Sequence, residues 1–387
     1  MESQGTTDVS DFLKRVARVA PAIREAAEEI ERSQRLSPDL RAKLHDEKFF
    51  RLLLPKPFGG EELPPAAFFE TMSALAENDA STAWCICQAN GCAMTAAFVA
   101  PEVAQNIWGN DPHAVVAWGP GKADLVEKED GYVISGRWQF ASGSRHATWL
   151  GGRTPVTLPD GQTVFRTFLF PASEVEMIDI WNVLGLRGTG SDGYSVKDLF
   201  VSKDYMATPG LDVGERLYDA PLYWIPSEVH QAIGFTGIAL GIARSMLELF
   251  KEVATEKKPY RMTNMLSENA LVQSDVAISE ARIGSARAYM LNEAAEVWDD
   301  VLEKGELTEE SNMRIRLSST YSIHEAKAVV DLIYDAAGAT AIFKGNPLER
   351  RFRDIHTLTQ QYQGRKTHFQ SVGASLLGLD PNVAPPT

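Results

Sequence analysis

The feature that most constrains the fold is a block of short strand-like runs enclosed by long helical patterns. Apolar side chains alternate or cluster over strand lengths at 114–118, 132–141, 148–150, 164–170 and 195–201, between turns rich in Gly, Pro and Asp. Helical apolar spacing precedes this block from residue 10 and returns between residues 226 and 377. Because strands and helices never alternate, a parallel sheet of βαβ units is excluded.

This order predicts an α+β architecture in three parts. We expect an N-terminal α-helical domain over 1–112, a central antiparallel β-domain over 113–215 and a C-terminal four-helix bundle over 216–387. Long helices joined by short loops are typical of an antiparallel bundle. The helix that follows Asp79 or Ser81 is apolar on nearly every side, which predicts burial all round.

The composition excludes several classes of function. The 387 residues carry a net charge of -14 and contain no basic run, so no nucleic acid partner is expected. Cys85, Cys87 and Cys92 lack the spacing of a metal site and are expected to be buried small apolar residues, with no metal. An odd cysteine count without a secretory leader predicts the cytoplasm. The most apolar run, 84–100, is shorter than the ~20 residues of a membrane span.

The strongest candidate site follows the strand over 132–141. Trp138 and Phe140 share a strand face, and Ser142, Gly143 and His146 crowd polar groups at its end. A wall of aromatic rings with a few converging polar groups suits a flat heteroaromatic cofactor. An ordinary hairpin with a polar turn is the competing interpretation.

A literal G-x-G-x-x-G stands at residues 188–193. The dinucleotide fingerprint requires a strand before it and a helix after it, so that the helix N-terminus faces the pyrophosphate. A strand pattern follows here instead, which argues against a Rossmann site. The loop still offers backbone N–H groups to a phosphate or a ring edge.

Several motifs together resemble the acyl-CoA dehydrogenase family. They are the loop at 53–60, the helix start at 79–84, the loop at 185–191 and the pair Arg353-Asp354. The resemblance covers nearly the whole chain. It implies the three-part fold, a flavin near a subunit interface and a homotetramer.

Two branches of that superfamily, the dehydrogenases and the two-component flavin monooxygenases, differ in residues near the C-terminus and at the end of the predicted strand over 132–141. Dehydrogenases commonly place a glutamate base after the Arg-Asp pair, where this chain has Gln363, which cannot accept a proton. Residues 138–147 look like the W-x-F-x-S-G-x-x-H-A signature of two-component flavin monooxygenases. Such enzymes take reduced FMN or FAD from a separate reductase, form a C4a-hydroperoxide with O2 and hydroxylate an aromatic or heteroaromatic small molecule.

The resemblance also assigns residues. His368 stands where those enzymes carry a histidine beside the flavin, so His368 and Ser142 are the catalytic candidates, the former to hold the peroxide or take a proton from substrate. The predicted cofactor contacts are Trp118, Trp138, Phe140, Ser142, Gly143, Arg353, Gly364 and Arg365. The predicted substrate contacts are Asn90, Cys92 and His146.

The predicted substrate contacts carry different weight. Phenol-hydroxylating members carry a histidine at the position of Cys92, so a less polar ring such as an indole is favoured. Asn90 lies two residues from that position. His146 is expected mainly to orient its loop.

Two alternatives stay open. An acyl-CoA dehydrogenase or oxidase with its base elsewhere would need a carboxylate facing the flavin, and Glu228 and Glu268 are the candidates. A non-catalytic helical assembly protein would have no affinity for flavin.

Overall fold

The structure, a computed structural model, describes residues 9–157, 160–161, 163–207 and 216–380. Its N-terminal region contains α1 (Val9–Ser33), α2 (Pro38–Asp46), α3 (Pro65–Ala76), α4 (Ala80–Ala93) and a short α5 (Pro101–Ala104). Local chemistry starts these helices where the sequence predicts. The Ser37 hydroxyl accepts from Leu40 N at 3.3 Å, and Asp79 accepts from Thr82 N at 2.7 Å.

Helix α4 is buried along almost its whole length, as its apolar composition predicts. Cys85, Cys87 and Cys92 are free and buried. Within the described residues no cluster of His, Cys, Asp and Glu could hold a metal ion.

The central region folds into two four-stranded sheets, with strand orders β1-β4-β5-β8 and β2-β3-β7-β6. The strands are β1 (Val116–Ala117), β2 (Gly121–Lys128), β3 (Gly131–Ala141), β4 (Trp149–Thr157), β5 (Thr163–Pro171), β6 (Glu176–Ile178), β7 (Asp192–Ser202) and β8 (Met206–Ala207). Among the described strands, all pairs are antiparallel except β1 with β4. The sequence does not predict β2, because this strand has no fully buried residue and so lacks a strong apolar pattern.

The C-terminal region is helical: α6 (Ser227–Glu256), α7 (Ala270–Lys304), α8 (Glu309–Ala337), α9 (Pro347–Leu358) and α10 (Thr367–Leu376). The predicted break near Gly364 is a 3₁₀ turn between α9 and α10. Helix α6 packs closely on α3 because it carries glycines at the contact. A Cβ on Gly237 would lie 2.5 Å from the Phe69 carbonyl oxygen, and one on Gly241 would lie 2.4 Å from that of Ser73.

The N-terminal helices and the bundle share one hydrophobic core, whereas the sheets enclose a second, smaller core around Trp138, Phe168 and Tyr194. The domain boundaries stay predictions. Helical structure before the sheets ends at Gly109 and the last described strand at Ala207, and the boundary predicted at 215 lies outside the described residues.

Among the described helices, Ser227–Glu256 is long and apolar enough to cross a membrane, with a mean hydropathy of 1.4 over its best window. That window is 83% buried inside the protein, which is the environment of a core helix.

Candidate active site

The end of β3 presents one aromatic ring outward. The pairing of β3 with β7 shifts register between Trp138 and Ala141, and Phe140 in this irregularity adopts a left-handed backbone with φ 59°. Its side chain is 56% exposed and meets Trp181 edge-on at 6.3 Å. Gly143, with φ 79°, then turns the chain away from the strand. A flat apolar surface therefore stands beside Ser142.

The Ser142 hydroxyl belongs to a chain of buried hydrogen bonds. Its Oγ accepts from the Trp84 indole Nε1 at 2.9 Å and lies 2.7 Å from the Oγ of Ser191. Ser191 Oγ lies 2.8 Å from Thr189 Oγ1, which in turn donates to the Leu186 carbonyl oxygen at 2.8 Å. The chain joins α4, the end of β3 and the loop before β7.

Helix α4 fixes the first member of this chain. The Trp84 ring stacks on Phe235 of α6, with centroids 4.0 Å apart and planes at 16°. One turn further along, Gln231 Nε2 donates to Gln88 Oε1 at 2.8 Å. An aromatic pair and an amide pair thus hold α4 against α6 beside Ser142.

His146 is buried behind the turn. It is 7% exposed, its backbone N donates to the Gly143 carbonyl at 3.0 Å, and neither ring nitrogen has a hydrogen-bond partner within the described residues. Burial, with a smaller effect of Arg41 and His45, lowers the pKa of His146 to about 3. Its ring is therefore neutral at pH 7 and packs beneath the loop that carries Ser142.

This burial makes stability depend on pH. The unfolded chain takes up a proton at His146 near the ordinary pKa of 6.5, whereas the folded protein does so only near pH 3. The free energy of unfolding is therefore highest above pH 6.5 and decreases as the pH falls from 6.5 towards 3. Relative to His146→Leu, we expect the wild type to lose roughly 1.4 kcal/mol of unfolding free energy for each pH unit below 6.5. Urea unfolding at several pH values between 4.5 and 7.5 measures this, and equal slopes for the two proteins would contradict it.

His368 lies in the first turn of α10 and is 7% exposed. Its Nδ1 is 3.2 Å from the Thr320 hydroxyl of α8, and within the described residues its buried Nε2 has no partner. Burial, assisted by Arg316 and Arg365, lowers the pKa of His368 to about 4. With this pKa the ring is neutral at pH 7, and its uncommitted nitrogen is available to hydrogen-bond a ligand.

The turn before α10 holds the other C-terminal candidates. The Gly364 carbonyl accepts from His324 Nε2 at 3.0 Å, and Arg365 lies over the Tyr362 ring at 5.4 Å. Arg365 is exposed, so its guanidinium is available to a ligand. Gln363 is buried at the position of the expected dehydrogenase base.

Arg353 has a different environment from the one predicted. Its guanidinium donates to the Leu184 carbonyl at 2.8 Å and pairs with Glu349 at 2.5 Å and Glu31 at 2.7 Å. Arg350 pairs with the same Glu31 at 2.9 Å. These partners join Arg353 of α9 to α1 through ion pairs, which argues against its predicted cofactor contact.

The burial and hydrogen bonds of three further predicted site residues argue against direct contact with a ligand. Asn90, 0% exposed, accepts from Leu53 N and donates to the Phe49 and Ile86 carbonyls, so it fixes backbone rather than contacting substrate. Cys92 is 2% exposed in the core, and burial raises the pKa of its thiol to about 12. Trp138 is 0% exposed and donates to the Arg153 carbonyl at 2.8 Å, so Trp138 belongs to the sheet core and not to a cofactor wall. Trp118 keeps 9% exposure and stays a prediction.

The carboxylates named for the dehydrogenase alternative are engaged elsewhere. Glu228 pairs with Arg153 at 3.0 Å, and Glu268 accepts from Met265 N at 2.7 Å in a capping box. Neither arrangement favours a free base.

Comparison with known proteins gives the family. Residues 233–365 match the family model described as acyl-CoA dehydrogenase, C-terminal domain. An indole-3-acetate monooxygenase of Pseudomonas putida is 30% identical over 91% of this chain and 90% of its own. The chain belongs to the flavin-dependent monooxygenases of the acyl-CoA dehydrogenase fold. The oxygenase subunit HsaA of Rhodococcus jostii is 28% identical over 89% of this chain and 92% of its own.

Solved structures agree with this assignment. The HsaA monooxygenase of Mycobacterium tuberculosis superposes with a TM-score of 0.85 at 27% identity, covering 97% of this chain and 99% of its own. XiaF from Streptomyces, solved with FADH2 and glycerol, gives a TM-score of 0.88 at 23% identity over 98% of both chains, which shows the shared fold. The predicted fold and superfamily branch are therefore confirmed.

For a flavin-dependent monooxygenase, the residues at the end of β3 fit a flavin. Phe140 offers a flat exposed ring, Ser142 offers a hydroxyl oxygen, and Gly143 keeps the turn free of a side chain. Sequence reasoning missed the groups that hold Ser142, namely Trp84, Thr189 and Ser191. The Gly-rich loop at 188–193 was a signal for the last two, but it pointed to backbone N–H groups rather than hydroxyls.

Proposed function

We propose that this monooxygenase is the oxygenase component of a two-component aromatic hydroxylase. It takes reduced flavin, FADH2 or FMNH2, from a separate reductase and takes O2 from solution. One oxygen atom enters an aromatic C–H bond as a hydroxyl, and the other leaves as water with two electrons from the flavin and two protons. The observation that carries this proposal is Ser142, held by Trp84 and Ser191 beside the exposed ring of Phe140.

The chain's own residues have separate tasks in this proposal. Phe140 packs on the flat ring system, Gly143 and Gly364 allow close approach, and Arg365 meets a phosphate. Reduced flavin supplies the electrons that activate O2. His368, neutral in its dry environment, holds or moves a proton at Nε2. The stacked Trp84 ring excludes water from Ser142.

The substrate we propose is an indole-type or related heteroaromatic small molecule. The relative at 30% identity is named for indole-3-acetate, while the p-hydroxyphenylacetate 3-hydroxylase of Acinetobacter baumannii is 28% identical over 97% of this chain. The names of these relatives support an aromatic substrate, and the relative at 30% identity favours an indole. The buried Cys92 adds no support for an indole over a phenol.

The proposal includes a homotetramer in the cytoplasm. Large apolar side chains stay exposed at the end of the bundle, among them Leu376 at 78% and Leu377 at 77%. Exposed apolar surface of this kind is typical of subunit contacts.

One experiment tests the hydroxylation itself. The protein is mixed with ¹⁸O2, anaerobically reduced FMN or FAD, and indole-3-acetate or 4-hydroxyphenylacetate as probes. We expect one ¹⁸O atom in the product by mass spectrometry, with more turnover on the indole, and none when oxidised flavin replaces reduced flavin. Peroxide as the sole product with both probes, together with oxidation of an acyl-CoA thioester by bound flavin, would favour the dehydrogenase alternative.

A further inference from the structure

A cavity of about 460 Å³ lies between α1, the loop before β7 and the start of α9. Its volume is in the range of small-molecule sites. Its wall includes none of the residues to which the proposed function gives a task, since neither the end of β3 nor α10 lines it. The cavity is therefore a feature that the hydroxylation chemistry leaves unexplained.

The wall of this cavity carries an excess of positive charge. Its basic residues outnumber its acidic residues by five to three, and they are Arg32, Arg187, Lys344, Arg350 and Arg353. The chain as a whole has a net charge of -14, so this local excess runs against the overall balance. A basic concavity in an acidic protein raises the local concentration of small anions.

The basic groups are short of partners within the protein. Three guanidiniums share the carboxylate of Glu31, from Arg353 at 2.7 Å, Arg350 at 2.9 Å and Arg187 at 3.8 Å. Arg353 has a second carboxylate in Glu349, whereas the buried Nε atoms of Arg187 and Arg350 have no hydrogen-bond partner within the described residues. Each of these buried N–H groups costs free energy until an oxygen accepts from it.

A third cation on the wall is also uncommitted. Lys344 lies in the turn before α9, is exposed, and forms no ion pair or hydrogen bond with the described residues. Two guanidiniums and an ammonium suit the oxygens of a phosphate dianion, because the planar fork of arginine matches two oxygens and lysine adds a point charge.

The rest of the wall selects the body of the ligand. Val183 and Leu184 line the cavity beside the basic groups, and the Leu184 side chain is 62% exposed. Apolar surface next to the cations favours a phosphate that carries an apolar or flat group over the free ion. We infer that this cavity is a second ligand site, separate from the flavin site, which binds a phosphate monoester such as a nucleoside monophosphate. This inference does not depend on the proposed function.

Calorimetric titration of the full chain with AMP, adenosine and inorganic phosphate tests this inference. AMP should bind at least ~10-fold more tightly than either fragment, because only AMP engages both the cations and the apolar wall. Arg187→Gln and Lys344→Gln should each weaken AMP binding about tenfold. Lys43→Gln is the matched control, since Lys43 is an exposed lysine of α2 that does not line the cavity, and it should bind AMP as the wild type does.

A variant with the opposite sign separates ligand binding from a structural role. Glu28 lines the cavity and has no ion pair within the described residues, so its carboxylate repels a phosphate. Glu28→Gln should therefore tighten AMP binding about threefold. Thermal unfolding of every variant checks that the fold is kept.

Competition with flavin tests whether the site is separate. Saturating AMP should leave the affinities for reduced FMN and reduced FAD unchanged, and displacement of FAD but not FMN would assign the cavity to the AMP half of the flavin and overturn the inference. Absence of AMP binding by the wild type, or unchanged binding in both Arg187→Gln and Lys344→Gln, also overturns it. These results leave the proposed hydroxylation intact, because that reaction is measured independently by ¹⁸O incorporation.

Discussion

Replacing His368 with glutamine is expected to reduce hydroxylated product by at least ~100-fold, the usual scale of a lost acid–base group. Glutamine keeps a hydrogen-bonding side chain but cannot exchange a proton near neutrality. His368 is placed for that task because its buried Nε2 has no partner within the described residues, and its lowered pKa of about 4 keeps the ring neutral at pH 7. The measurement is hydroxylated product formed per O2 consumed, with hydrogen peroxide quantified separately. The peroxide formed per O2 should rise by the amount by which the product falls.

The matched control is His113→Gln, since His113 is an exposed histidine whose ring lies against that of His45, with centroids 4.8 Å apart. It should retain wild-type product yield. Thr320→Val removes the hydroxyl 3.2 Å from His368 Nδ1 and should give an intermediate loss, because the ring then loses its orientation but not its proton. Product yield in His368→Gln within twofold of the wild type would rule out the acid–base role.

The second large effect is expected from Gly119→Ala. A Cβ at this position would lie 1.7 Å from the Gln139 carbonyl oxygen and 2.9 Å from the Phe140 carbonyl carbon. Both are backbone atoms of the β3 end, so the strand must move to relieve the overlap. We expect a loss of about 3 kcal/mol in unfolding free energy. Flavin affinity should fall at least ~10-fold, because Phe140 and Ser142 move with the strand.

Gly284→Ala is the matched control for this substitution. Gly284 lies in α7, and a Cβ there meets no atom of the described residues within 4 Å. Alanine should raise the unfolding free energy by roughly 0.5–1 kcal/mol, since glycine is unfavourable within a helix. Urea unfolding and flavin titration of both variants give the comparison. Equal free energies of unfolding for the two variants would contradict the prediction, because they would show that the end of β3 moves to accommodate the Cβ without a loss of stability.

The fold was predictable because its determinants are local. The first turn of α4 follows from Asp79, whose carboxylate accepts from a backbone N three residues on, and β3 follows from the alternation between residues 132 and 141. The strand after residues 188–193 excluded a dinucleotide site and is observed as β7. Strand β2 was not predicted, because it is stabilised by its pairing with β3 and has no strong apolar pattern of its own.

The site was predictable only where a residue type carries its own signal. The sequence by itself determined the three-part fold, Ser142 and Phe140 at one strand end, and a histidine at position 368. The tertiary structure decided that Trp138 and Asn90 are core residues and that Trp84, Ser191 and Thr189 hold Ser142. Trp84 lies 58 positions from Ser142 in sequence, and Ser191 lies 49 positions from it. Burial and hydrogen-bond partners depend on neighbours brought together by packing, so no local pattern encodes them.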